Sequence, residues 1–112
     1  MMIEEFSVEK LANLSDEERA NWQFIDVREP QEVDLAQIEG FEVLSLSQFR
    51  EWSEAIHARF DKDKPTVVMC HHGMRSQQMC QWLINQGFTD LKNLSGGIDA
   101  YSYLVDPSVP RY

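Results

Sequence analysis

Apolar residues in this chain come in short runs that alternate between strand and helix periods. Thr66-Val67-Val68-Met69 is a brief β-rich run, the pattern of a strand buried on both faces in a parallel sheet. Gln23 to Val27 reads as a second buried strand, Glu42-Val43-Leu44 as a shorter third, and Leu94 marks a brief last one. Between them the spacing turns helical. Phe49, Trp52, Ile56 and Phe60 recur at i, i+3, i+7 and i+11, which predicts one helix with an aromatic core stripe and His57 beside it at the surface. Ser76 to Gln86 reads as another helix, with Met79, Cys80, Leu83 and Ile84 on one face and Gly87 placed to stop it. Strands alternating with amphipathic helices predict an α/β domain with a mostly parallel central sheet and helices on both faces.

Polar residues supply the punctuation. Phe6 and Val8 open the fold, and Ser7 is placed to cap a short helix over Val8 to Asn13. Ser15 with Glu18 has the spacing of a capping box. Pro30 suits the first position of a turn of helix over Gln31 to Ala36, which Gly40 ends. Asp61-Lys62-Asp63-Lys64-Pro65 is a solvated turn into the central strand, and Phe88 and Leu91 seat the turn after the second helix. Ile98 to Leu104 predicts a final helical stretch, and the tail from Asp106 to Tyr112 is too rich in proline to continue it.

With 112 residues, 43% hydrophobic and 26% charged, the chain reads as one ordinary globular domain that needs no metal or disulfide to fold. The start, Met1-Met2-Ile3-Glu4-Glu5, is acidic, and no apolar run approaches a membrane span, so the expected setting is cytoplasmic. A formal charge of −9 opposes non-specific binding to nucleic acid or anionic lipid. The expected partners are proteins or small molecules. Two cysteines make no disulfide framework, and a cytosolic thiol pair is reduced by default.

The candidate chemistry lies where the central strand ends. In Cys70-His71-His72-Gly73-Met74-Arg75-Ser76 a cysteine at the strand's carboxyl end is followed by a tight loop and the start of a helix. Unpaired N–H groups at a helix N-terminus and in successive loop peptides form an anion site, which favours a thiolate, and Arg75 adds a fixed positive charge nearby. The competing reading makes Cys70 a buried strand-end residue and Arg75 a surface charge. Position weighs against it, because open α/β sheets place ligands at the carboxyl edge of their strands. Cys80, on the apolar helix face, reads as structural. Asp26, near the end of its own strand, either helps hold the active loop or pairs with Arg28, and pairing is the commoner role for such an acid.

Four stretches together resemble the rhodanese-like sulfurtransferase family. Cys70 to Ser76 resembles its active-site loop. Ile25-Asp26-Val27-Arg28-Glu29-Pro30 resembles its early signature, Ile38-Glu39-Gly40 a middle segment, and Asn93-Leu94-Ser95-Gly96-Gly97-Ile98 its closing segment. The matches run in the family's order over roughly residues 23 to 101. The resemblance implies a three-layer α/β fold in which Cys70 takes up a sulfane sulfur as a persulfide. It implies that His71, His72, Gly73, Met74, Arg75 and Ser76 surround the substrate, with Asp26 and Arg28 in support. It also implies a small donor such as thiosulfate, with cyanide, a thiol or a protein as acceptor, and no cofactor. The chain departs from the pattern at Gln37, where histidine is usual, at Phe41, where a small residue is usual, and at Tyr101, where tryptophan is frequent.

Loop length separates the chemistries open to Cys70. Four residues lie between Cys70 and Arg75. The related cysteine phosphatases and arsenate reductases carry one more, giving the wider cradle a tetrahedral oxyanion needs, so the shorter loop resembles the sulfur-transfer version. A metal held by Cys70, His71 and His72 is disfavoured, because adjacent residues on a tight loop rarely converge on one ion and familiar zinc spacings are absent. The two histidines are then either loop donors or solvent-facing rings. A non-catalytic binding module is the remaining alternative, and retention of Cys70, Gly73 and Arg75 favours the enzyme or sulfur carrier.

Overall fold

The computed structural model describes residues 3–112, so Met1 and Met2 of the acidic start lie outside the described residues. Five strands, β1 (Ile3–Phe6), β2 (Gln23–Asp26), β3 (Glu42–Val43), β4 (Thr66–Met69) and β5 (Leu91–Leu94), form one sheet in the order β1-β5-β4-β2-β3. All pairings are parallel. Among the described residues seven helices complete the fold: α1 (Val8–Ala12), α2 (Asp16–Asn21), α3 (Pro30–Leu35), α4 (Phe49–Trp52), α5 (Ile56–Arg59), α6 (Met74–Asn85) and α7 (Gly97–Leu104). Short 3-10 turns at Leu46–Gln48 and Ser53–Ala55 flank α4.

The central strand β4 is buried throughout, as its unbroken apolar run requires. Its side chains alternate between two cores. Val68 and Cys70 face Met79, Cys80 and Leu83 of α6, together with Trp52 and Ile56. Val67 and Met69 face Val8 and Leu11 of α1, Ile98 of α7, Phe6 and Val109. Helices therefore cover both faces. The largest ring of the first core is buried without an orphaned donor, because the Trp52 indole N–H bonds the Ser45 carbonyl at 2.9 Å.

Capping follows the expected residues. Ser7 Oγ accepts the Lys10 N–H at 3.1 Å, and both halves of the Ser15–Glu18 capping box are present at 3.0 and 2.9 Å. The structure differs from expectation in several places, Leu91 among them, which opens β5 instead of seating the turn before it. First, β1 is a strand despite its pair of glutamates. It lies at the sheet edge, where Glu4 reaches Lys92 at 3.1 Å and Glu5 accepts from Ser95 Oγ at 2.7 Å, so acidic side chains cost little there. Second, the aromatic stripe lies on two helical turns, α4 and α5, joined by the 3-10 turn at Ser53–Ala55. Trp52, Ile56 and Phe60 face the core, whereas Phe49 stays outside, edge-on to Trp52 and Trp82 at 5.1 Å. Third, α6 starts at Met74, two residues before Ser76, which places Arg75 inside its first turn, and Ile84 is only half-buried. No helix among the described residues is long and apolar enough to cross a membrane.

Candidate active site

Cys70 leaves β4 at its carboxyl end. The chain runs outward from β2 to β3 on one side of β4 and onward to β5 on the other, so the loop sits at the crevice where strand order reverses. Gly73, at φ +112°, turns the chain from the loop into α6. The turn aims one peptide at the cysteine: the Gly73 N–H donates to Cys70 Sγ at 3.0 Å. Ser76 Oγ lies 3.3 Å from the same sulfur and donates in turn to Asn93 Oδ1. Asn93 Nδ2 donates to the Gly73 carbonyl at 3.1 Å. One buried amide on β5 thus holds both groups that touch the sulfur.

The loop's carbonyls are engaged from outside. The Ile98 N–H donates to the Cys70 carbonyl at 3.0 Å and the Asp99 N–H to the His71 carbonyl at 3.1 Å, so the N-terminus of α7 takes up the acceptors of the loop. This docking needs Gly97. A Cβ there would stand 2.4 Å from both carbonyl oxygens, and the residue has φ +61°. The closing Gly-Gly segment of the sequence is therefore a direct support of the Cys70 loop.

The charged residues pair with each other. Asp26 Oδ2 accepts from Arg28 Nη2 at 2.8 Å, and Oδ1 accepts from the Arg28 N–H and Nε, both at 3.0 Å. Burial pulls the Arg28 guanidinium down, but its bonds to Asp26 and to the Tyr112 hydroxyl outweigh that and hold it above its ordinary value. Arg75 binds Glu32 with both arms, Nη1 to Oε1 at 2.6 Å and Nη2 to Oε2 at 2.9 Å. That pairing holds the Glu32 carboxyl down at about 2 and the guanidinium above its ordinary value. Glu32 also accepts the Glu29 N–H and the Tyr112 hydroxyl, both at 3.0 Å.

The histidines stack. His71 and His72 lie 3.9 Å apart between ring centroids, and Tyr112 covers the other face of His71 at 3.9 Å and 9°. Burial first, and then the neighbouring His72, push His71 below its ordinary pKa. The polar atoms of His71, His72 and Asp99 come within 4.8 Å of one another. Stacked rings direct their in-plane lone pairs alongside each other rather than at one point, and the Asp99 carboxylate is already gripped by Arg111 at 3.0 and 3.2 Å. Cys70 is not among that group.

Of the residues singled out in the sequence, Cys70, Gly73 and Ser76 come together around one sulfur, and Cys70 itself is 1% exposed. Met74 stands at the outer rim, 78% exposed. A cleft of about 440 Å³ beside the loop is lined by Glu5, His72, Gly73, Met74, Gln77 and Ser95, among others. A larger one of about 890 Å³, around His57, Phe60 and Lys62, lies at the opposite edge of the sheet, away from the sulfur. Cys80 is buried on α6, and burial pushes its thiol up to about 12. Sequence reading missed Glu32, Asn93, Asp99 and Tyr112 as members of the site. Asn93 lay within a matched segment, and Glu32 followed Pro30, but nothing in their spacing announced partners so distant in the chain.

The Rhodanese-like domain family model matches residues 7–103. The chain is 48% identical over 90 residues, 80% of its length, to Rhodanese-like/PpiC domain-containing protein 12, chloroplastic, of Arabidopsis thaliana, and spans 30% of that relative. It is 38% identical over 80 residues to Thiosulfate sulfurtransferase GlpE of Vibrio cholerae, 69% of either chain. The crystal structure of a Rhodanese-like Domain Protein from Staphylococcus aureus superposes with a TM-score of 0.74 at 20% identity, covering 98% of this chain and 99% of that one. By the family match and the relatives together, the chain belongs to the rhodanese-like domain family.

Proposed function

We propose that the chain is a sulfurtransferase or sulfur carrier that moves a sulfane sulfur through a persulfide on Cys70. The observation that carries this reading is the Gly73 N–H donating to Cys70 Sγ at 3.0 Å, at the carboxyl edge of the central strand. The relationship to a thiosulfate sulfurtransferase at 38% identity supports the same chemistry. The thiolate attacks the outer sulfur of thiosulfate or of another persulfide. A sulfur–sulfur bond forms to Cys70 as the donor's own breaks, and sulfite or a thiol leaves with the electron pair. In the second half, cyanide, a thiol or a protein thiolate attacks the terminal sulfur and Cys70 returns as thiolate. Charge develops on sulfur in both steps, where the Gly73 N–H already points at it.

In this reading His71, His72 and Met74 border the donor, and Arg75 braces the loop through Glu32 while lending its charge. Asp26 and Arg28 support the site from the end of β2. Steady-state conversion of thiosulfate and cyanide to thiocyanate tests the reading. Wild-type protein is expected to turn over and Cys70→Ser to be inactive. An active Cys70→Ser would remove the nucleophile from the scheme. Hydrolysis of aryl phosphates without sulfur transfer would favour the phosphatase alternative, and absence of both would favour a binding module.

A further inference from the structure

The tail after α7 carries no chemical motif, yet it is fixed at successive points and ends against the residue that follows Cys70. Val109 is buried in the second core, and its carbonyl accepts the Ser102 hydroxyl. Arg111 holds Asp99 at the start of α7 with Nε and Nη2 at 3.0 and 3.2 Å. Tyr112 then turns its ring onto His71, the residue directly after the nucleophile, at 3.9 Å and 9°. Its hydroxyl accepts from Arg28 Nη1 and donates to Glu32 Oε2, both at 3.0 Å.

A phenol fixed at its face and at both functions of its hydroxyl holds one position, unlike a loose surface ring. Its partners come from the three elements that frame the mouth: the end of β2, helix α3 and the nucleophile's loop. Glu32, one of them, also grips Arg75 at the start of α6. Cys70, the residue before His71, is 1% exposed.

We propose that Tyr112 is a specificity-determining residue of the Cys70 site, its ring walling the approach to the sulfur so that slender sulfane donors and acceptors pass and broad ones are excluded. The proposal rests on Cys70 being the sulfur nucleophile, but its consequence is read as access to the thiol and not as turnover. A protein that formed no persulfide would still report on the wall.

N-ethylmaleimide and pyrene maleimide share one reactive group and no charge but differ in breadth, and peptide mass after each reaction gives the rate at Cys70. Tyr112→Ala is expected to raise the pyrene maleimide rate by about tenfold and the N-ethylmaleimide rate by less than about twofold. Tyr112→Phe keeps the ring and loses both hydroxyl bonds. It is expected to fall between wild type and Tyr112→Ala with the broad reagent, and it keeps the test standing if the alanine variant unfolds early. An equal rise with both reagents, which a generally loosened loop would give, overturns the proposal. So does an unchanged rate with pyrene maleimide.

Discussion

Arg75 and Glu32 meet fork to fork, with both guanidinium arms on both carboxylate oxygens at 2.6 and 2.9 Å, and the pair ties the first turn of α6 to α3. The charge that follows the Cys70 loop is thus engaged largely in tying α6 to α3. Lysine keeps the charge and loses the second arm. Arg75→Lys is expected to lower sulfur-transfer turnover by about three- to tenfold while circular dichroism shows an intact fold. Unchanged turnover would make the bidentate brace dispensable.

The same pair makes stability depend on acid. Arg75 holds the Glu32 carboxyl down at about 2, below the value it takes in the unfolded chain. Its contribution is therefore fully present above the ordinary glutamate range and is lost as pH falls through that range toward about 2. Arg75 is partly exposed, so solvent screening reduces the contribution to roughly 1–2 kcal/mol. Urea unfolding near neutral pH and again near about pH 3 is expected to show a smaller acid loss in Glu32→Gln than in wild type. An identical acid loss in the two proteins would mean that the pair contributes nothing to folding.

The two cysteines are expected to react very differently. Burial against Met79 and Leu83 pushes Cys80 up to about 12, which leaves almost no thiolate at neutral pH, whereas Cys70 heads a loop with a peptide N–H on its sulfur. Iodoacetamide on the native protein is expected to carboxamidomethylate Cys70 alone, as read by peptide mass. Equal labelling at Cys80 would contradict the assignment.

Gly97 offers a test from outside the loop. An alanine Cβ would meet the Cys70 and His71 carbonyl oxygens at 2.4 Å, at a backbone φ of +61°. Gly97→Ala is expected to cost more than about 2 kcal/mol in unfolding free energy and to lower turnover as the loop moves off α7. Full stability in that variant would show that the loop and α7 separate freely.

Much of this was legible in the chain because it is local. The run Thr66 to Met69 has no polar break, so both its burial and its central place could be read, and Ser15 with Glu18 fixed a helix start by spacing alone. The Cys70 loop was legible because strand, cysteine, glycine and helix follow one another directly. β1 escaped because Glu4 and Glu5 interrupt its apolar pattern, and only pairing with β5 at the sheet edge makes them a strand. The start of α6 was misplaced because the left-handed Gly73 sets it, ahead of Ser76. The partners of the site were hidden for a different reason. Asn93 on Ser76, Glu32 on Arg75 and Tyr112 on His71 are contacts between segments far apart in sequence, and periodicity carries no information about them.

The central claim is a covalent sulfur on Cys70, and intact-protein mass after thiosulfate treatment measures it most directly. The account predicts a gain of about one sulfur atom that cyanide erases, that Cys70→Ser lacks at every thiosulfate concentration, and that Cys80→Ser retains. A wild-type protein that gains no such mass from thiosulfate or from any persulfide donor, or a Cys70→Ser variant that still gains it, would contradict the account.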